Sequence, residues 1–212
     1  MRVFLIHGMG RTSLSLALLA RRLRQAGHTT SSFGYLVSRH SIDHIANSWV
    51  QHIERQRGDD HHAFAIVGHS LGNIITRAAL PRLPGLGRFV MLAPPNHPPA
   101  MARALGRNPV FLALTKDAGK KLLDDGGFYA ALPVPTMQTL IIAGHGGPRF
   151  VRSPWQGAAN DGVVSVDETR LPGIETVVVD AVHTLIMNQR AVAGLTLRFL
   201  GAAGSGNTEP LM

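Results

Sequence analysis

Ser70 stands at the centre of Gly68-His69-Ser70-Leu71-Gly72. A serine hydroxyl is a poor nucleophile until a base takes its proton. The Gly-x-Ser-x-Gly spacing suits a sharp strand-to-helix turn that lifts the hydroxyl above a sheet. The flanking glycines have no side chain, so strand and helix can approach closely. With 23 glycines in the chain, the five letters alone recur easily by composition, and context must carry the reading. The apolar run Ala63-Phe64-Ala65-Ile66-Val67 precedes the motif, and a helical pattern from Leu71 to Leu80, stopped at Pro81, follows it. An ordinary turn with a capping serine is the plainer alternative.

Where such a turn carries the nucleophile, an acid and then a histidine base follow along the chain. His97, His145 and His183 come after Ser70. Only His183 lies beyond the later apolar strands, in a loop before the last helix, at the sheet edge where sites gather. Asp161, in Asn160-Asp161-Gly162-Val163-Val164, precedes it by one strand. Gly162 allows a tight turn that could aim a carboxylate inward, although an Asp-Gly pair is also a common turn. Asp167 and Glu168 are rivals for the acid. Acyl transfer also requires backbone N–H groups that receive negative charge. Leu71, just after the serine, is one donor. Met9, in His7-Gly8-Met9-Gly10 after the first strand, is the other. His7 reads as a structural hydrogen-bonder rather than a second base. No Gly-Lys-Ser/Thr follows these glycines, which disfavours a phosphate-cradling loop.

The elements that must position these residues alternate. Strands are predicted at Arg2–Ile6, Thr29–Leu36, Ala63–Val67, Phe89–Leu92, Thr139–Ala143 and Glu175–Val179. Helices are predicted from Leu14 to near Gly27, with Thr12 or Ser13 as cap, and over Ser41–Arg57, Leu71–Leu80 and Leu185–Leu200. The alternation predicts an α/β fold: a mostly parallel sheet of about six strands, with helices on both faces. One domain spans 1–200, and a Gly/Ser-rich tail covers 201–212. Residues 96–135 interrupt the alternation and suggest a small cap insertion. Met101, Leu105, Phe111, Leu112 and Leu114 could line an apolar pocket under it, or simply pack in the core. Trp155 is another pocket candidate.

Composition fits a globular enzyme, with 45% hydrophobic and 16% charged residues. The absence of cysteine excludes disulfides, thiol catalysis and Cys-ligated metals. The net charge is +8, yet no basic stretch interleaves with aromatics as in a nucleic-acid platform. The Arg21, Arg22 and Arg24 cluster reads as a solvated helix face, with weak attraction to an anionic membrane surface as a further possibility. Four apolar residues before His7-Gly8 are too few for a secretory leader, and no run reaches the ~20 apolar residues of a spanning helix. A soluble, cytoplasmic protein is expected. His40 and His44 have helical spacing but lack the glutamate of a zinc-protease helix.

Together, His7-Gly8-Met9-Gly10, Gly68-His69-Ser70-Leu71-Gly72, Asn160-Asp161-Gly162 and His183 resemble the α/β-hydrolase superfamily, in particular its small bacterial lipases and esterases. The similarity runs from Val3 to Leu200. It implies ester hydrolysis through an acyl-enzyme, with no cofactor. A small-molecule, apolar acyl ester is the expected substrate, and no metal is expected. In such lipases the aspartate of a similar Asn-Asp-Gly is the acid, which supports Asp161. The chain departs from the pattern in Asn73 and in its length, which implies that the first two strands of the full superfamily sheet are missing. Thioesterases, amidases and lactonases share this machinery. A non-catalytic binding module on the same scaffold is a further alternative.

Overall fold

The computed structural model describes residues 1–201 except 107, 125, 126, 151 and 152, and not the side chains of 110, 111 and 114. The expected flexible tail, 202–212, lies outside the described residues.

Six strands form one sheet: β1 (Arg2–Ile6), β2 (Thr29–Phe33), β3 (Phe64–His69), β4 (Leu86–Leu92), β5 (Gln138–Gly144) and β6 (Glu175–Val179). All pairings are parallel, in the order β2-β1-β3-β4-β5-β6. Parallel strands need crossovers, and helices supply them. The crossover helices are α1 (Ala17–Gln25), α2 (Ile42–Arg57), α3 (Leu71–Ala79), α4 (Ala100–Leu105), α5 (Pro109–Leu122), α6 (Gly127–Ala131) and α7 (Val166–Thr169), and α8 (Arg190–Gly201) follows the last strand.

Strand periodicity divides the core in two. Phe4, Ile6, Ile66, Phe89, Met91 and Ile141 face α2 and α3, where Ile42, Ile45, Trp49, Ile53 and Ile74 bury against them. Val3, Leu5, Val67, Val90, Leu92 and Ile142 face the other way, towards Leu16, Leu19 and Leu23 and the α8 residues Val192 and Leu200. The expected α/β architecture is thus present, with a fully parallel sheet. Its order reverses direction between β1 and β3. A crevice opens at the carboxyl ends of strands at such a switch point, and both the Met9 loop and Ser70 sit there.

Several boundaries differ from the sequence expectation. β2 stops at Phe33 because the chain turns so that the Tyr35 N–H reaches His7 Nε2, at 3.2 Å. β4 begins at Leu86, three residues early, where it pairs with Phe64 and Ala65. Neither Thr12 nor Ser13 caps the first helix with its side chain. A 3-10 turn, Ser13–Leu16, leads into α1 instead. The closing helix is broken: a 3-10 turn, His183–Asn188, is separated from α8 by extended Gln189.

The interruption at 96–135 holds α4, α5 and α6 and has two parts. α4 covers the crevice. Ala118, Leu122, Tyr129 and Leu132 join the core on the α2 and α3 side. Asp117 Oδ2 accepts the Ile42 N–H at 2.9 Å, so this segment caps α2 from outside it.

Candidate functional site

Ser70 joins β3 to α3 with φ 50° and ψ −123°, a region that costs a non-glycine residue about 1–3 kcal/mol. Three glycines make the turn possible. A Cβ on Gly68 would lie 2.3 Å from Asn73 Oδ1, and one on Gly72 would lie 2.7 Å from the carbonyl oxygens of Ile6 and His7. A Cβ on Gly8 would lie 2.9 Å from Ser70 Cβ, so the Met9 loop passes directly beside the serine. The turn is anchored where the Ser70 N–H donates to Leu92 O at 2.9 Å.

Ser70, His183 and Asp161 form one hydrogen-bonded chain. His183 Nε2 lies 2.9 Å from Ser70 Oγ, and His183 Nδ1 lies 2.7 Å from Asp161 Oδ2. Asp161 Oδ1 accepts the N–H groups of Val163 and Val164, at 2.9 and 2.8 Å. A carboxylate only accepts, so Nδ1 of His183 carries the hydrogen and Nε2 is free to accept from the serine. Asp161 and His183 are buried. The His183 N–H also donates to Asp161 O at 2.8 Å, which links the two loops through their backbones. Gly162, at φ 95°, makes the expected turn.

The rival acids are committed elsewhere. Glu168 accepts the Ser165 N–H at 2.7 Å and the Ala100 N–H at 2.6 Å. The Asp167 side chain is 85% exposed and pairs with Arg170. His7 donates from Nδ1 to Gly8 O and accepts at Nε2 from Tyr35, so both ring nitrogens are occupied by backbone groups. Tyr35 stacks on it at 4.3 Å.

Leu71 opens α3, so its N–H has no acceptor within the helix. Leu71 and Met9 both border an apolar cavity of about 170 Å³ beside Ser70. Pro95, Pro99, Met101, Ala102, Leu105, Leu122, Val163 and Val164 complete its wall. Of the pocket residues expected from sequence, Met101 and Leu105 line it. Leu112 does not, and the side chains of Phe111 and Leu114 lie outside those described. Trp155 is not in it either. It borders a separate depression with Arg103 and Glu168, on the other flank of α4.

His69 escaped the sequence reading. It is fully buried, and burial, reinforced by the neighbouring His183, holds it well below the ordinary imidazole value of 6.5. Its Nε2–H donates to His183 O at 3.1 Å, so the elbow itself steadies the His183 loop. The only sequence signal was its place beside the nucleophile. Among the described residues, no group of three or more acids and histidines could hold a metal. His40 and His44 stack on each other at 4.4 Å and border a different depression, with Arg39.

The fold is that of the α/β-hydrolases. The mature Bacillus licheniformis lipase BlEst2 superposes with a TM-score of 0.74 at 17% identity, over 94% of this chain and 91% of that one. The Legionella pneumophila phospholipase PlaB superposes at 0.71 and 18% identity, covering 94% of this chain but 59% of its own. The NocB thioesterase domain follows at 0.58 and 13% identity, with 95% of both chains covered. No protein-family model and no curated protein sequence matches the chain.

Proposed function

We propose that this protein is a serine hydrolase that cleaves carboxylic esters with apolar acyl groups. One observation carries the reading: a hydrogen-bonded Ser70–His183–Asp161 chain ends at the mouth of an apolar cavity. In this reading Ser70 Oγ attacks the acyl carbon while His183 Nε2 takes its proton. Asp161 fixes the imidazole tautomer and stabilises its positive form. The Met9 and Leu71 N–H groups receive the oxyanion, and one such donor is worth about 3 kcal/mol. His183 returns the proton to the leaving alcohol. Water, activated by the same histidine, then releases the acid. The lipase, phospholipase and thioesterase among the structural neighbours support hydrolysis as the reaction class, and the site needs no cofactor for it.

The wall of this cavity is almost wholly apolar, so it suits a hydrocarbon acyl chain rather than a charged or polar one. A panel of nitrophenyl esters of rising length, with one thioester, is expected to show kcat/KM rising from the acetate to longer acyl chains. A fluorophosphonate probe is expected to label the wild type but not Ser70→Ala. Equal labelling of the two would sink the assignment of Ser70, and faster cleavage of the thioester would move the substrate class.

A further inference from the structure

The acidic residues of this chain are unevenly placed. None lies between Met1 and Ile42, and none between Ala181 and Gly201. These segments supply α1 and α8, which pack together over one face of the sheet. The α1–α8 layer therefore carries Arg21, Arg22, Arg24, Arg190 and Arg198 with no carboxylate of its own. Arg21, Arg24, Arg190 and Arg198 are exposed. Arg11 extends the positive layer: its Nη2 donates to Thr184 O at 2.8 Å. Arg22 Nη1 donates to Asn188 O at 2.9 Å, at the other end of the same turn. Asp180 is the acid nearest in sequence.

The same layer exposes apolar side chains near its upper corner. Leu14, in the 3-10 turn before α1, is 79% exposed, and Leu18, four residues on at the start of α1, is 40% exposed. Val182 and Leu185, at 37% and 51%, lie on either side of His183 in the turn packed against α1. Single exposed leucines are ordinary, but these come from two neighbouring elements beside a layer free of acids.

We propose that this face docks the protein on an anionic lipid surface. The leucines enter the headgroup–acyl boundary, and the arginines meet the headgroups. A nucleic acid would use the arginines but leave the leucines in water, and no aromatic interleaves these arginines to stack on bases. A second copy of the chain would set two positive layers against each other. The docked edge is the one at which His183 sits.

The test is sedimentation of the full chain with phosphatidylcholine vesicles, with or without phosphatidylglycerol, at low salt. Wild type is expected to bind only the vesicles containing phosphatidylglycerol. Arg21→Gln with Arg190→Gln is expected to weaken binding about fivefold per charge. Leu14→Ser with Leu185→Ser is expected to weaken it as well, with cleavage of a water-soluble ester unchanged in both variants. No binding to anionic vesicles overturns the proposal. So does vesicle binding that the serine pair leaves intact, and so does a wild-type dimer that the serine pair dissociates. Binding is read without turnover, so it stands or falls apart from the ester-hydrolysis reading.

Discussion

Asp161 and Asp167 lie six positions apart and look alike from spacing alone. Their surroundings separate them. Asp161 has one oxygen on two backbone N–H groups and the other on His183, whereas Asp167 faces water beside Arg170. Asp161→Asn leaves an amide where the imidazole needs an acceptor, which favours the wrong tautomer. The expected cost is about 10⁴-fold in kcat, while Asp167→Asn is expected to stay near wild type. Steady-state kinetics on one nitrophenyl ester compares them, and a large loss in Asp167→Asn would transfer the role. The order of the site residues was legible in sequence because each follows its own apolar strand. The final choice of acid was not, since it depends on where a carboxylate points within a single turn. His69 was equally invisible: its bond to His183 O spans 114 positions.

At the scale of elements, the 96–135 insertion was legible as a break in alternation, but its attachment was not. Arg77, on α3, is buried, and its guanidinium donates to carbonyl and amide oxygens. Its Nε donates to Pro133 O at 3.0 Å and its Nη2 to Leu132 O at 2.9 Å. Its Nη1 donates to Asn96 Oδ1 at 3.2 Å, and Asn96 in turn donates to Thr169 O. One guanidinium therefore ties both stems of the insertion to the helix that follows the serine. Burial lowers its pKa to about 10, so it stays charged near neutrality. No periodicity marks such a residue, because its partners are carbonyls that the sequence does not display. Arg77→Met would strand several buried acceptors, each worth about 1–3 kcal/mol. Urea unfolding is expected to show a loss of at least about 2 kcal/mol. Pro99, Met101, Ala102, Leu105 and Leu122 form the cavity wall within this insertion, so KM for a hexanoate ester is expected to rise more than KM for an acetate. A stability loss with an unchanged chain-length profile would mean that the clamp does not shape the cavity.

For the whole molecule, alternation of strand and helix made the sheet and its two covered faces legible, because a parallel strand buried on both sides is almost wholly apolar. Charge over the surface was not legible in this way. It depends on which distant segments the topology packs together, as α1 and α8 show. Titration likewise belongs to the whole fold, because burial sets it. Of the 11 histidines, burial is the leading cause that lowers His7, His28, His52 and His69 from 6.5, with His69 furthest below it. These rings are held neutral in the fold and are more basic in the unfolded chain. As pH falls below 6.5, the unfolded chain takes up protons that the folded chain refuses. Their contribution to stability is complete above 6.5 and is lost progressively as the pH drops towards the folded values. Melting temperature measured from pH 8 to pH 5 is therefore expected to hold steady and then fall below about 6.5. His69→Gln keeps a side-chain N–H for His183 O but cannot take up a proton, so its decline should be shallower than that of the wild type. A wild-type melting temperature that stays flat to pH 5 would mean that these rings are not held neutral.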